Sequence, residues 1–292
     1  MKVHVIGSSG FIGMALSSRL KRERLDVVTL SRHGAKGLSN LDLRHLGFDW
    51  DEALEGAEVV VNLAGKAHDL RRPSKEQSSE YEIVNAQGAR RLAEGAVSAG
   101  ARRFMQVSTV KVLGEVPVDG VRFREFDPLR PVGVYAESKA QGELLVQAAL
   151  RGTATECVIV RLPLVFGTPF KGNLALLEKA IRRGVPLPLS HRSIGKRTYV
   201  QMEDLTKLLM RLIMDPRTLP PVVHARSTPD LRAADVARLV GEEIGREPRL
   251  FPVPAQALRN AARLVGRPEY ASKLCDEMLV SDELTRTALG PK

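Results

Sequence analysis

Three glycines at every third position, Gly7, Gly10 and Gly13, stand directly after the apolar run Val3-His4-Val5-Ile6 and directly before a helix-like stretch from Phe11 to Leu20. A strand that turns this sharply into a helix is the layout of a phosphate-binding turn. Gly7 permits the tight turn, Gly10 lets backbone approach a pyrophosphate, and Gly13 lets the helix sit close on the strand. The unsatisfied N–H groups at the helix start then face the anion. Gly7, Ser9, Gly10, Phe11, Ile12 and Gly13 are therefore candidate dinucleotide ligands. A lone glycine repeat carries little; the strand before it and the helix after it give it weight.

Behind this turn, short apolar strands at Asp26 to Leu30, Glu58 to Leu63, Arg103 to Ser108 and Cys157 to Arg161 alternate with helical segments near Phe11–Arg22, Ser79–Ala99 and Val134–Leu150. The alternation predicts an α/β fold, a Rossmann-type doubly wound parallel sheet covered by helices. Ligands of such sheets bind beyond the carboxyl ends of the strands, where the glycine turn, Asn62-Leu63-Ala64-Gly65 and Ser108-Thr109 all fall. After Arg161-Leu162-Pro163 the texture changes, with prolines at 163, 169, 186 and 188 and again at 216, 220, 221, 248, 252 and 254. We read residues 1–165 as the dinucleotide-binding domain, with about 196–226 returning to it. Residues 166–195 and 227–292 form a smaller, mostly helical lobe, with helices near Leu174–Arg183, Asp204–Met214, Ala233–Ile244 and Ala255–Val265 expected beyond the sheet strands. Residues 31–50 read as an irregular connection, because Gly34, Gly37, Asn40 and Gly47 interrupt every period.

Composition narrows the partners. Forty-four basic against 34 acidic side chains give a formal charge of +10 over 292 residues, which favours anionic ligands by long-range attraction. The arginines are scattered, as at Arg90, Arg91, Arg102, Arg103, Arg182 and Arg183, with no basic tail or aromatic-interleaved patch, so nucleic acid is not expected as a partner. Cys157 and Cys275 show neither metal-ligand nor disulfide-framework spacing; they read as inert thiols in a reducing compartment, and no metal site is expected. No apolar stretch approaches the roughly 18 residues of a spanning helix, and the N-terminus carries the glycine turn where a signal peptide would lie. A cytoplasmic protein without stable membrane insertion is the expectation.

Tyr135 and Lys139 are four apart in a helical segment, so both project from one face. A phenol ionises near pH ~10, and a cation at ~4 Å in an effective dielectric of ~20 contributes about 4 kcal/mol, enough to lower it by roughly three units before desolvation opposes the shift. Tyr135 is thus expected to exchange protons near neutrality. Thr109, just past a strand, offers a hydroxyl that can align a substrate carbonyl. Tyr-x-x-x-Lys alone is common on surface helices; with the glycine turn and the strand-end hydroxyl it makes Thr109, Tyr135 and Lys139 the candidate catalytic set.

These features together resemble the extended short-chain dehydrogenases/reductases, in the nucleotide-sugar branch that contains UDP-glucose 4-epimerase-like and UDP-4-keto-6-deoxy-N-acetylglucosamine 4-reductase-like enzymes. The glycine turn, Asn62-Leu63-Ala64-Gly65, Asn85, Thr109, Tyr135, Lys139 and Arg161-Leu162-Pro163 carry the resemblance, as do Ser108 through Glu115, Lys171-Gly172-Asn173, Gly184 through Leu189 and Phe251-Pro252-Val253-Pro254. The chain departs from the group's pattern at Leu113, often polar or aromatic, and at Leu162, often proline. The resemblance implies that Leu63, Ala64, Gly65 and Asn85 join the cofactor site, with Tyr135 and Lys139 reaching the nicotinamide ribose. It implies that Thr109 and Lys111 border the sugar, that Asn173 and Arg197 hold the nucleotide-sugar diphosphate, and that the enzyme is a homodimer through the helices near 79–99 and 134–150. His68 would border the same mouth.

The residue closing the second strand selects the cofactor. An acidic residue there binds a free ribose hydroxyl, whereas an arginine accommodates a 2′-phosphate. Here Ser31-Arg32 follows Val27-Val28-Thr29-Leu30 and Asp26 lies at the wrong end, so Arg32 is a candidate phosphate ligand and NADP(H) is favoured over NAD(H). A reductase exchanges its cofactor with a reduced pool, whereas an epimerase regenerates it within each cycle. The expected activity is therefore an NAD(P)-dependent 4-ketoreductase acting on a UDP-4-keto-6-deoxy-hexosamine in surface-polysaccharide biosynthesis. An NAD-dependent UDP-hexose 4-epimerase and a non-catalytic NADP-binding sensor are the alternatives.

Overall fold

The computed structural model describes residues 1–32, 42–44, 49–66, 75–117, 121–264, 266 and 268–290. In chain order the strands are β1 Lys2–Ile6, β2 Asp26–Leu30, β3 Val59–Asn62, β4 Arg103–Thr109, β5 Glu156–Leu162, β6 Leu164–Phe166, β7 Lys196–Arg197, β8 Tyr199–Gln201, β9 Val222–His224 and β10 Leu231–Arg232. The helices are α1 Phe11–Arg22, α2 Trp50–Ala53, α3 Lys75–Glu82, α4 Gly88–Ser98, α5 Val134–Leu150, α6 Gly172–Arg182, α7 Met202–Met214, α8 Ala233–Ile244, α9 Ala255–Leu264, α10 Pro268–Cys275 and α11 Glu283–Leu289. A π-helical turn, Ile83–Gln87, joins α3 to α4, and a 3-10 turn, Val110–Leu113, follows β4.

Six strands form one sheet in the order β2-β1-β3-β4-β5-β9, every neighbour parallel. The near-continuous apolar strands are those of a sheet covered on both faces. Because successive side chains alternate in direction, each strand feeds two cores. Val3, Val5, Val59, Val61, Met105, Val158 and Val160 pack with Leu16 and Leu20 of α1 and Leu205, Leu209 and Leu212 of α7. Ile6, Val60, Phe104 and Ile159 pack on the other face with Leu92, Ala93 and Ala96 of α4 and Val146 and Leu150 of α5. The strand order reverses at β1, so the crevice at its carboxyl end, between β1 and β3, is the place such folds reserve for ligands.

Beyond the sheet lies a separate core. Phe166, Phe170, Leu174, Ile181, Leu189 and Tyr199 pack with Ala234, Val236, Ala237 and Val240, joining α6 to α8. Two small sheets, β6 with β8 and β7 with β10, knit the segments that cross between this core and the main sheet. Buried ion pairing fixes the junction: Arg161, at the end of β5, meets Glu143 of α5 through Nε (3.1 and 3.2 Å) and Nη2 (2.8 Å) and donates from Nη1 to the Glu125 carbonyl at 2.9 Å. Both side chains are almost fully buried, 5% and 2% exposed, so each charge depends on the other.

The expected strands are present with no end shifted by more than one residue, the ordinary scatter of element boundaries. The expected helix over Ser79–Ala99 is instead three pieces. Gly142 of α5 approaches so closely that a Cβ there would collide with the Asn85 carbonyl, and the π turn swings the Asn85 side chain toward the sheet crevice. Helices α10 and α11 and the small sheets were not anticipated. Of the connection expected over 31–50, most lies outside the described residues, and α2 begins at Trp50.

Candidate active site

The glycine turn closes on the neighbouring strand end. Gly7 N–H donates to the Leu30 carbonyl at 2.8 Å, and Leu63 N–H to the Ile6 carbonyl at 2.9 Å, drawing three strand ends together. Gly7 has φ +81°, and a Cβ on it would stand 2.6 Å from the Ala64 nitrogen, so only glycine fits. Gly13 lies buried against the turn, where an added Cβ would overlap the Gly7 carbonyl. Gly10 is exposed and caps α1 without any side-chain hydrogen bond, and the first turn of α1 carries no acidic residue. The turn thus presents an uncapped helix start to a ligand, a fit for the pyrophosphate of a dinucleotide.

Thr109, Tyr135 and Lys139 converge at the carboxyl end of β4. Tyr135 and Lys139 sit on the first turns of α5, and Thr109 is the last residue of β4. Thr109 is 8% exposed; its Oγ1 accepts from Lys111 N–H at 3.3 Å, capping the 3-10 turn, and its hydroxyl hydrogen-bonds the Tyr135 phenol. Lys139 is buried, its Nζ donating to the Val107 carbonyl at 2.7 Å. Burial pushes Tyr135 up to about 12, opposed by the Thr109 hydrogen bond. Burial also pushes Lys139 down to about 8, with the Glu143 carboxylate opposing it. The sequence-based expectation that the Lys139 ammonium draws the phenol toward neutrality fails here: the ammonium is committed to a backbone carbonyl, and desolvation dominates the phenol.

Around this trio lies a shell of contacts. Asn85 is buried with its Oδ1 accepting Lys66 N–H at 2.8 Å and its Nδ2 donating to the Lys66 carbonyl at 3.1 Å and to Ser138 Oγ at 3.0 Å. Ser138 Oγ in turn donates to the Tyr135 carbonyl at 2.8 Å. Asn85 thus ties Lys66, the residue after Leu63-Ala64-Gly65, to the start of α5; a Cβ on Gly65 would stand 2.9 Å from Asn85 Oδ1 and 3.8 Å from Lys139 Nζ. The Tyr81 ring stands edge-on to the Tyr135 ring with centroids 6.2 Å apart, and Lys66 Nζ lies 4.9 Å over Tyr81 while pairing with Glu80.

The remaining expected site residues are more dispersed. Lys111 sits on the 3-10 turn beside Thr109, with Nζ 3.9 Å from Glu115. Asn173 is exposed on the first turn of α6. Arg197, in β7, directs Nε to the Asp276 carbonyl at 3.3 Å and Nη2 to the Ser272 carbonyl at 3.4 Å, so its guanidinium braces the α10 segment. Arg32 is exposed just past β2, and its charge helps hold the Asp42 and Glu80 carboxyls low. His68 lies outside the described residues.

The model of the NAD dependent epimerase/dehydratase family matches residues 3–224 of the chain, which takes in the glycine turn, the trio and all of the six-stranded sheet but Lys2. The chain belongs to that family. Over 98% of its length it is 28% identical to a UDP-glucose 4-epimerase of Vibrio cholerae, covering 89% of that protein. Over 87% of its length it is 30% identical to a dTDP-6-deoxy-L-talose 4-dehydrogenase (NAD(P)(+)) of Kitasatospora kifunensis, covering 82% of that protein. Its fold superimposes on MoeE5, solved in complex with UDP-glucuronic acid and NAD, with a TM-score of 0.78 at 22% identity, covering 99% of this chain and 93% of that one. The family is one of NAD-dependent enzymes, and these relatives carry nucleotide-sugar names. Among the described residues no helix is long and apolar enough to cross a membrane.

Sequence reasoning overlooked Gln106, Tyr81, Lys66 and Ser138, all within one or two contacts of the trio. For Gln106 a signal existed: an amide in the otherwise apolar run Phe104-Met105-Gln106-Val107.

Proposed function

We propose that this protein is a nucleotide-sugar 4-ketoreductase, using NADPH to reduce a UDP-4-keto-6-deoxy-hexosamine such as UDP-4-keto-6-deoxy-N-acetylglucosamine, in the cytoplasmic stage of surface-polysaccharide synthesis. The observation that carries it is the end of β2, where Leu30-Ser31-Arg32 offers an exposed arginine and no carboxylate for a free ribose hydroxyl, which favours NADPH and with it a net reduction. Reduction of a carbonyl consumes a proton at oxygen, and the Tyr135 phenol beside Thr109 at the carboxyl end of β4 is the group placed to donate it. An epimerase regenerates its bound cofactor within each cycle and has no need of a reduced NADPH pool.

When bound, the reduced nicotinamide supplies the hydride to the C-4 carbonyl. Ser9, Phe11, Ile12 and Gly13 would offer backbone amides to the pyrophosphate, with Gly7 and Gly10, whose own N–H groups bond the Leu30 and Gly7 carbonyls, shaping the turn, and Leu63, Ala64 and Gly65 would form the facing wall. Tyr135 would donate its proton to the substrate oxygen, Thr109 would orient that oxygen, and Lys139, held by the Val107 carbonyl, would reach the nicotinamide ribose. Arg32 takes the 2′-phosphate, a role its exposure and the absence of a carboxylate at the end of β2 support. The lobe built on α6 and α8 closes over the nucleotide sugar, with Lys111, Asn173 and Arg197 on its approaches. Two copies pair through α4 and α5, where Leu144 is 56% exposed.

The extent of similarity to the Vibrio cholerae UDP-glucose 4-epimerase supports a second reading, a 4-epimerase with tightly held NAD. Denaturing the purified protein and assaying released dinucleotide separates them: little or no retained cofactor, with NADPH binding tighter than NADH, fits the reductase, and stoichiometric retained NAD fits the epimerase.

A further inference from the structure

β3 is apolar until Asn62, and β4 runs through Phe104 and Met105 before Gln106; Asn62 and Gln106 face each other in register and are 0% and 1% exposed. Two amides at the heart of a sheet are costly unless every polar atom is used. Here they form one directed chain. Ala64 N–H donates to Asn62 Oδ1 at 3.1 Å, which turns Asn62 Nδ2 toward Gln106 Oε1 at 2.8 Å. That in turn directs Gln106 Nε2 to the Val107 carbonyl at 3.2 Å, the same carbonyl that receives Lys139 Nζ at 2.7 Å. The orientation of each amide is dictated by the one before it, starting from a backbone N–H that cannot be reversed.

The ends of this chain are the two halves of the site. Ala64 is the residue against which Gly7 packs, and Lys139 belongs to the trio. A carbonyl oxygen has two lone pairs, and Val107 spends one on Gln106 and one on Lys139. β3 stops at Asn62 while β4 runs on to Thr109, so side-chain donors meet the β4 backbone just past the point where its neighbour ends. A valine or leucine pair would satisfy the sheet at this register without any polar cost.

We propose that Gln106 is a positioning residue: through the Val107 carbonyl it sets the Lys139 ammonium, and through Asn62 it ties that ammonium to the dinucleotide turn at Ala64. The inference rests on the dinucleotide reading of the site given above. It is specific to Gln106 acting through Lys139, which a double-mutant cycle reads directly.

The experiment is NADPH binding by isothermal titration calorimetry for wild type, Gln106→Met, Lys139→Met and the double variant. Loss of one positioned hydrogen bond predicts about tenfold weaker binding for Gln106→Met in the wild-type background and less than about twofold further loss in the Lys139→Met background. Equal losses in both backgrounds, or no loss in either, would overturn the inference, because a merely structural amide would act the same with or without Lys139. Should Gln106→Met fail to fold, Gln106→Glu keeps the size and the acceptor toward Asn62 while placing a carboxylate near Lys139. The alkaline limb of its NADPH-binding pH profile then moves upward; an unmoved limb overturns the inference. Wild-type protein that binds neither NADPH nor NADH refutes the dinucleotide reading itself and the inference with it.

Discussion

Lys139→Met makes the protein more stable at neutral pH while removing its function. The folded ammonium is pushed from 10.5 to about 8 by burial, a difference of about 2.5 units, worth roughly 3 kcal/mol at about 1.36 kcal/mol per unit. Below pH 8 the lysine is charged in both the folded and the unfolded chain, so folding carries the whole cost of burying it. Between about 8 and 10.5 the unfolded chain still binds the proton and the folded chain does not, so wild-type stability rises with pH through that window; above it the cost is gone. Methionine keeps the unbranched shape without the charge but gives up the hydrogen bond to Val107, a loss of about 1 kcal/mol. The net gain at pH 7 is about 2 kcal/mol. With an unfolding entropy near 2.1 cal/mol/K per residue over 292 residues, that is a rise of about 3 °C in Tm. Denaturant melts of both proteins at pH 7 and at pH 10.5 check it: the variant leads at pH 7 and falls below wild type at pH 10.5, where the lost hydrogen bond outweighs what remains of the charge cost. A variant less stable than wild type at pH 7 would show that the buried ammonium is fully compensated and refute the reasoning.

Tyr135→Phe keeps the ring against Tyr81 but removes the transferable proton, so turnover falls by about 10³-fold or more while NADPH affinity stays within about threefold, checked by steady-state kinetics alongside calorimetry; near-normal turnover contradicts the role given to the phenol. His224, whose Nδ1–H donates to the Ser281 carbonyl at 2.9 Å, is pushed down to about 3 by burial. The unfolded chain takes up that proton as pH falls below 6.5 and the folded chain does not, so stability drops through the window from 6.5 to about 3, by about 2 kcal/mol already at pH 5. His224→Asn keeps a donor without the titration, and its unfolding free energy from urea melts falls less between pH 7.5 and pH 5 than that of wild type by this amount; an identical pH dependence counts against it.

Much of the frame is legible in the chain because its signals are local. The apolar runs from Val3 to Ile6 and Val59 to Asn62, the glycine turn, and α5 from Val134 to Leu150 each follow from residues close in sequence. The trio at Thr109, Tyr135 and Lys139 follows from one strand end and one helix face. What was not legible depends on contacts between distant segments. The π turn at Ile83–Gln87 exists where Gly142 lets α5 press on Asn85, and nothing in residues 79–99 alone announces it. Spacing placed Lys139 on the same face as Tyr135, but the Val107 carbonyl that captures its ammonium lies 32 positions away. Arg161 looked like part of a motif and proves to be half of a buried ion pair with Glu143. The small sheets and α10 and α11 are short pieces held by the lobe, with too little periodicity of their own.

The most direct measurement supplies UDP-4-keto-6-deoxy-N-acetylglucosamine together with NADPH deuterated at the transferable position and follows both cofactor oxidation and the sugar product by NMR. One NADPH consumed per sugar, with deuterium at C-4, is the predicted result. No NADPH oxidation, with interconversion of UDP-hexoses by protein that carries its own NAD, would contradict the reductase reading and establish the epimerase in its place.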